Sequence, residues 1–499
     1  MSRTPSPPVE SSSGSALRRD LKVTDTAAFS IGLIGPVGAM ALLGVGAAGL
    51  LGRGATWAFV FAILGVCLVA YGFVKLSRHI THTGSVFALV GRTIGPRTGF
   101  VAGCLLFMAY VTIGTGSTIE IALFSNRVLS GVHLAAGVTE WYWTALVALA
   151  VTVLLSFSET RVITRTLLAC ELGGAVLVGL LSIVVLIRTG VGHAPGHARL
   201  SWAFLELPHG TGAGTIAAAA VFGFLAFAGF EGAATLGEET VDPKRQIPRA
   251  IKITVVVVGT FFLLTIVGQS IGYGTDAAGA HAFAAADSPY SDLAQRYVGT
   301  PMAVLLELVA SLSVFAITLG TVGAAARVGL ALVRSTGCSG PVTRLTRRGA
   351  PIGTVGVATL LIAVFVTAQR LAGTGALAAT FLWLGLGSLA LLVAYGLATI
   401  GALRYLFFSG RPKAPRWQVI IPVLATAFVC YTIYSNVADA EGVSGLFPWI
   451  ILAVTVVTAG VALGVPGLAA RVRRQIGAAP PASASLLEDP ASGKVKVSP

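Results

Sequence analysis

One apolar stretch carries a carboxylate and two glycines, and it reads Phe224-Leu225-Ala226-Phe227-Ala228-Gly229-Phe230-Glu231-Gly232. It lies in a charge-poor segment, residues 214–236, that is long enough to cross a bilayer, since a transmembrane helix needs about 20 apolar residues. An acidic side chain at the centre of such a helix costs roughly 2.5–3.5 kcal/mol on insertion scales. Glu231 is therefore expected to face the interior of a helix bundle, next to a glycine-interrupted helix.

The composition supports a membrane protein. Of 499 residues, 55% are hydrophobic and only 11% are charged, whereas soluble domains carry about 25% charged residues. This balance excludes a multidomain soluble enzyme, a disordered chain and a disulfide-stapled secreted protein. The pattern predicts an all-α polytopic membrane protein with twelve transmembrane helices, which we number as spans 1 to 12: residues 24–51, 55–76, 98–124, 142–157, 162–187, 214–236, 251–271, 301–333, 352–367, 377–403, 419–434 and 447–463.

The positions of lysine and arginine predict the orientation of these spans. With the N-terminus in the cytoplasm, 28 of the 34 basic residues fall on the cytoplasmic side and 6 on the outer side. Because basic residues accumulate in cytoplasmic loops, both termini are expected to be cytoplasmic in a multi-pass protein of the cell (cytoplasmic) membrane. The net charge of +14 then comes from basic residues on the cytoplasmic side, which face anionic inner-leaflet lipid. No nucleic-acid partner is expected.

Span 1 also contains a helix-breaking sequence, Ile34-Gly35-Pro36-Val37-Gly38. Proline lacks the N–H that the helix needs and clashes with the preceding turn, so this segment alone predicts a kink or a full interruption. Span 6 is interrupted as well, and paired interruptions at matching positions of two halves indicate a transporter's substrate site. We therefore predict discontinuous spans 1 and 6 in two five-helix repeats, the second inverted because five is odd.

These repeats define the predicted domain organisation. A disordered N-terminal tail covers residues 1–22, the first repeat 23–205 and the second repeat 206–405. Two peripheral helices occupy residues 406–470, and a disordered cytoplasmic tail covers 471–499, because both termini are of low complexity.

A family resemblance is carried mainly by the end of span 6 and the loop after it. Residues 227–231 continue into Glu238-Glu239-Thr240-Val241-Asp242-Pro243-Lys244-Arg245-Gln246-Ile247-Pro248-Arg249-Ala250-Ile251. This stretch resembles the signature of the amino acid–polyamine–organocation (APC) superfamily of permeases. Weaker matches are Thr83-Gly84-Ser85-Val86-Phe87, Gly95-Pro96-Arg97-Thr98-Gly99-Phe100, and Ala326-Arg327 followed by Arg334 and Pro341.

The resemblance, which covers roughly residues 18–470, implies a leucine-transporter-like core of five plus five inverted helices, with spans 11 and 12 at its periphery. It also implies an amino acid, a polyamine or a related amine as substrate. Two departures stand out. Many members read Gly-Ser-Gly or Gly-Thr-Gly where this chain has Gly35-Pro36-Val37-Gly38, which removes one hydroxyl and one N–H from the implied carboxylate cradle. The lysine that some proton-coupled relatives carry in helix five is absent, because no lysine occurs between Lys75 and Lys244.

Candidate substrate-binding residues are those of the two breaks: Ile34, Gly35, Pro36, Val37, Gly38, Phe227, Ala228, Gly229, Phe230 and Glu231. A substrate ammonium would meet helix carbonyls and Glu231, and a carboxylate would meet half-helix N-termini, whose dipoles favour anions. Glu231 could instead be a structural tether that holds the broken helix to its neighbours.

Candidate coupling residues lie in spans 5 and 8. Glu171 could titrate a proton in place of the absent lysine, or it could be a buried scaffold contact. Ser311 and Ser313, with Thr318, could hold sodium, although such hydroxyls more often bond their own helix's carbonyl four residues back. Glu120 and Glu307 lie nearer the outer ends of their spans, where a partly hydrated vestibule is expected.

No pattern for nucleotide binding, metal coordination or catalysis was found, so neither a cofactor, a metal nor an enzymatic activity is predicted. The sequence predicts a secondary active permease that uses alternating access and is proton-coupled or an exchanger, with protons or sodium as candidate ions. A channel or a non-transporting receptor on the same bundle is the alternative. The substrate's identity and the oligomeric state stay open.

Overall fold

The computed structural model describes residues 21–79, 86–131, 140–156, 160–236, 240–345, 351–438 and 442–477. Within these ranges the chain forms α-helices, short 3-10 helices and one π-helix (Arg404–Phe408). It forms no strand there, apart from one isolated parallel bridge between Leu21 and Thr240. The α-helices are α1 (Val23–Ile34), α2 (Pro36–Leu51), α3 (Thr56–Leu76), α4 (Val86–Thr93), α5 (Pro96–Gly131), α6 (Trp141–Ser156), α7 (Thr160–Gly190), α8 (Ala213–Ala226), α9 (Pro243–Tyr273), α10 (Ala277–Ala284), α11 (Pro289–Tyr297), α12 (Thr300–Thr336), α13 (Ile352–Leu371), α14 (Ala376–Leu403), α15 (Ile420–Ala438), α16 (Phe447–Gly464) and α17 (Leu468–Gln475).

Ten helical segments in this part of the chain are long and apolar enough to cross a membrane, which confirms an all-helical, polytopic membrane protein. Two shorter apolar helices are Trp141–Ser156, which matches predicted span 4, and Ala213–Ala226, which covers only the first part of predicted span 6. The total of twelve spans and the inverted repeat stay predictions. Of the motif residues quoted above, Thr83, Ser85 and Glu238 are among those outside the described ranges, together with most of both predicted tails.

The long helix α5 lies at the centre of the bundle and packs against both α12 and α14 along much of its length. Small residues allow this close approach: a Cβ built on Gly387 of α14 would lie 2.7 Å from Ile113 Cγ1 on α5. Large apolar side chains such as Val256 and Leu360 are exposed on the outside of the bundle. A lipid environment accommodates such side chains, whereas water would not.

Hydrogen bonds and ion pairs join loops that the charge count assigns to the same side. On the predicted cytoplasmic side, Arg404 donates to Ile94 O (3.0 Å), and the Val241 N–H donates to Leu21 O (3.0 Å). The predicted outer side carries ion pairs, namely Arg53–Glu206 (3.0 Å), Arg127–Asp287 (3.0 Å) and Arg370–Glu140 (2.7 Å). Each of these contacts thus joins segments that the charge count assigns to the same side, and the orientation itself stays a prediction.

The C-terminal end of the fold lies beyond the predicted boundary at residue 471, which falls within α17. The apolar residues Leu468, Val472 and Ile476 follow each other at intervals of four and are buried, as on one face of an amphipathic helix. Arg471 fastens this helix to the end of α12 by donating to Ser335 O at 2.8 Å. The folded chain thus continues to residue 477, and the predicted tail begins at least seven residues too early.

Candidate functional site

The break in span 1 is a left-handed glycine followed by a proline. Gly35 separates α1 from α2 with φ 59° and ψ 59°, a conformation in which only glycine is unstrained. Pro36 begins α2, where its missing N–H costs nothing because the first amides of a helix have no partner within it. A Cβ on Gly35 would also lie 2.4 Å from Ile317 Cγ1 of α12. Glycine is therefore required both by the backbone conformation and by the close packing of α12.

The first amides of α2 are capped by side chains from two other helices. The Val37 N–H donates to Glu171 Oε1 of α7 (2.8 Å), and the Gly38 N–H donates to Ser313 Oγ of α12 (2.8 Å). Glu171 and Ser313 are almost fully buried, at 2% and 3% exposure. The Ser313 hydroxyl also lies near the carboxylate, yet Glu171 Oε2 has no well-formed hydrogen bond among the described residues. Glu171 is thus the N-cap of α2, supplied from a distant part of the chain.

The break in span 6 follows α8. Three residues, 227–229, form a turn with Gly229 at φ 101°, and a 3-10 helix, Phe230–Leu236, continues the chain. Phe227 is fully buried and packs edge-on against Phe262 with ring centroids 4.9 Å apart. Phe227 is therefore part of the aromatic core in this conformation, beside the point where the helix ends.

Glu231 lies at the start of the 3-10 helix and is 5% exposed. Its Oε2 accepts a hydrogen bond from the Tyr395 hydroxyl of α14 at 2.8 Å. Phe230 and Phe73 pack against the same tyrosine ring, with centroid distances of 5.6 and 5.8 Å. Neither Glu231 nor Glu171 forms an ion pair with any described residue, so each site carboxylate is held by neutral donors.

The two breaks contact each other. Ser30 Oγ of α1 accepts the Ala233 N–H of the 3-10 helix at 2.6 Å. A Cβ on Gly229 would lie 3.0 Å from Leu33 Cγ, so the backbone at the second break passes directly over the end of α1. The predicted residues 34–38 and 227–231 therefore belong to one region, with α7, α12 and α14 around it.

The structure separates the hydroxyls predicted in span 8. Ser313 faces the first break, whereas Ser311 lies within 2.7 Å of Ser125 Oγ on α5. Residues two apart point about 200° away from each other on an α-helix, which explains the divergence. Thr318 donates to Val314 O, four residues back, and its Oγ1 pairs with Ser117 Oγ at 2.9 Å. The three hydroxyls therefore do not converge on one point.

The other two span carboxylates are buried rather than hydrated. Glu120 and Glu307 are 5% and 3% exposed, where a partly hydrated vestibule was predicted. Glu307 Oε1 lies 3.6 Å from Arg127 Nη1, and Arg127 also pairs with Asp287. A basic residue predicted to lie in an outer loop thus reaches into the bundle and neutralises this carboxylate.

Sequence reasoning missed Tyr395. It is one of several tyrosines inside or near predicted spans, so nothing in the sequence distinguishes it. Its role depends on α14 packing against the second break, which is a long-range contact. Buried tyrosine hydroxyls usually have a hydrogen-bond partner, and the partner of Tyr395 is Glu231.

The apolar helical bundle, with two interrupted helices that meet beside buried carboxylates, defines a polytopic membrane protein with an internal polar site. Comparison with known families goes further: a family model described as "Amino acid permease" matches residues 27–457. The chain therefore belongs to the amino acid permease family, whose members are transporters rather than enzymes.

Curated relatives are distant and carry different transport names. The chain is similar to the branched-chain amino acid permease BcaP of Bacillus subtilis, at 25% identity over 48% of this chain and 52% of the relative. It is also similar to cationic amino acid transporter 7 of Arabidopsis thaliana (27% identity; 53% and 46%) and to the low-affinity putrescine importer PlaP of Escherichia coli (25%; 41% and 44%). The chain spans about half the length of the curated relatives it matches.

Proposed function

We propose that this protein is a secondary active transporter that moves an amino acid or a related amine across the cytoplasmic membrane by alternating access. The observation that carries the proposal is the contact between the two helix breaks, sealed by the Ser30–Ala233 hydrogen bond and flanked by Glu231 and Glu171. Interrupted helices expose backbone groups that can bind a small polar solute inside a membrane. Family membership and relatives named for amino acids and for putrescine support the same substrate range.

The predicted inverted repeat supplies the mechanism of this proposal. Two five-helix halves that rock against each other open the central site to one side of the membrane and then to the other. The 28-to-6 distribution of basic residues, and loop contacts that keep to their own side, support cytoplasmic termini. Gly35 and Gly229 have positive φ at the two breaks, and glycines at the ends of helices can absorb the changes in φ and ψ that such a motion requires.

Glu171 is the proposed coupling residue. It connects α7 to the first break through a single hydrogen bond, and it is the only span carboxylate hydrogen-bonded to a break residue of span 1 in the described chain. Protonation of Glu171 would weaken the hydrogen bond that its carboxylate accepts from the Val37 N–H, because hydrogen bonds to charged groups are about twice as strong as neutral ones. Proton binding would thereby favour movement of α2 relative to α7.

The test is uptake into proteoliposomes of a labelled panel of amino acids and amines, with and without imposed proton and sodium gradients. Saturable uptake that responds to a gradient, or to unlabelled solute inside, supports the proposal. Absence of any such flux across the panel, with protein inserted and folded, would overturn it. A conductance that does not saturate would instead identify a channel.

Glu231→Gln is the matched test of the site. The substitution keeps the size of the side chain and its ability to accept from Tyr395, but removes the charge. Uptake should be abolished while insertion and monodispersity are retained. Unchanged uptake would show that Glu231 does not bind the substrate and would favour its role as a structural tether of the broken helix.

A further inference from the structure

The amide donors at the first break are all engaged within the protein. Pro36 has no N–H, the Val37 and Gly38 amides donate to Glu171 and Ser313, and the Ala39 amide donates to Gly35 O at 2.9 Å. A helix N-terminus binds anions through such amides. At the N-terminus of α2 the carboxylate of Glu171, a residue of the same chain, already occupies the position of such an anion.

The second feature is the sign of the charge around this region. Glu171 and Glu231 are both buried, neither has a cationic partner in the described chain, and Glu171 Oε2 is buried without a hydrogen-bond partner. In addition, α1 and α8 end at the breaks, so the negative ends of their dipoles face this region. A buried carboxylate without a cationic partner is costly, and a ligand that carries positive charge would relieve that cost.

We infer that the substrate is an organic amine without an α-carboxylate, because Glu171 occupies the position at which the amides of α2 would hold a substrate carboxylate. This inference rests on the proposed transport function and narrows its substrate class. An α-amino acid would have to displace Glu171 from the Val37 N–H and place a second carboxylate beside it. The corresponding amine meets neither obstacle, and Glu231, Glu171 Oε2 and the helix carbonyls each offer an acceptor for an ammonium group.

The test compares solutes that differ only by the α-carboxylate. Suitable pairs are putrescine and ornithine, cadaverine and lysine, agmatine and arginine, tyramine and tyrosine, and isoamylamine and leucine. Thermal stabilisation of the purified protein measures binding, and proteoliposome uptake measures transport. In the pair that binds best, the amine should be favoured by about tenfold or more, since a carboxylate without charge-assisted hydrogen bonds loses at least that factor.

Glu171→Ala sharpens the test because it vacates the cap of α2. The Val37 amide then becomes available to a substrate carboxylate, and the ratio of amine to amino acid affinity should fall by about tenfold. Glu171→Gln retains an acceptor for the Val37 N–H and should keep more of the discrimination than Glu171→Ala. The wild-type pairs decide the matter even if Glu171→Ala does not fold.

Three outcomes are informative. Equal or better binding of the amino acids overturns the inference and leaves the transporter function intact. Binding of amines without flux of any solute supports the amine site and overturns transport. Absence of binding by every member of every pair overturns the inference.

Discussion

The backbone N–H of Val37 donates to Glu171 Oε1 at 2.8 Å, across 134 residues of sequence. This hydrogen bond joins the start of α2 to the middle of α7, and it caps a helix whose own preceding residue, Gly35, has no side chain to do so. A charge placed at a helix N-terminus stabilises the helix. The bond therefore has two consequences, one for the integrity of the break and one for the chemistry of any ligand beside it.

The first prediction concerns coupling. Glu171→Gln preserves the volume and an acceptor oxygen but cannot exchange a proton at neutral pH. Uptake stimulated by an inward proton gradient should fall to the level measured without a gradient, whereas exchange of internal for external solute should persist. The measurement is initial uptake in proteoliposomes with imposed pH differences.

Glu120→Gln is the matched control for that experiment. Glu120 is an equally buried span carboxylate, and no hydrogen bond links its side chain to either break within the described residues. Stimulation by the gradient should survive this substitution. A wild-type flux that is indifferent to pH would remove Glu171 as the proton carrier.

The second prediction concerns the left-handed glycine. Gly35→Ala forces a Cβ into a conformation that costs about 1–2 kcal/mol for other residues and places it 2.4 Å from Ile317 Cγ1. The melting temperature in detergent should fall by several degrees and uptake should be lost. Gly49→Ala, in α2 with open space around it, should leave the melting temperature unchanged or raise it. Equal tolerance of both substitutions would contradict the observed packing of the break.

The third prediction separates the two serines of α12. Ser313→Ala leaves the Gly38 N–H buried without its acceptor, at a cost of about 1–3 kcal/mol, so both stability and transport should decrease. Ser311→Ala removes only the contact with Ser125 Oγ and should have a smaller effect. Assaying both variants over a range of sodium concentrations checks the sodium hypothesis. A common shift in sodium activation would show that the two hydroxyls act together after all.

The fourth prediction concerns Tyr395. Tyr395→Phe removes the hydroxyl that donates to Glu231 but keeps the ring that packs against Phe230. Loss of a hydrogen bond to a charged group costs about 1.5–3 kcal/mol. The apparent KM for the transported solute should therefore change by about tenfold or more. Tyr434→Phe, on an exposed position of α15, is the control and should transport normally. Unaltered kinetics in Tyr395→Phe would make the pair a purely structural contact.

The positions of the two breaks could be predicted from the sequence because their causes are local. Pro36 lacks an amide, Gly35 and Gly229 allow positive φ, and each lies within an apolar run long enough to span a membrane. The candidate residues around them could be chosen for the same reason. A carboxylate in such a run is conspicuous without any knowledge of packing.

The partners of those residues could not be predicted, because each partner comes from a helix whose rotation is set by the whole bundle. Ser311 and Ser313 look equivalent in the sequence, yet they face α5 and the first break respectively. Tyr395 resembles other tyrosines until α14 packs against Glu231. The C-terminal helix α17 could not be predicted because eight residues are too few to form a stable helix alone. It is stabilised by the burial of Leu468 and Val472 against other helices.

The sequence by itself determined that this chain is an apolar helical bundle with two interruptions and a small negative charge inside the membrane. Hydropathy, proline and glycine act over a few residues, so they can be read without the fold. Only the tertiary structure decided which groups the buried carboxylates contact. It brought Glu171 onto the amides of α2 and Tyr395 onto Glu231, because contacts over such sequence distances exist only when the helices are packed together.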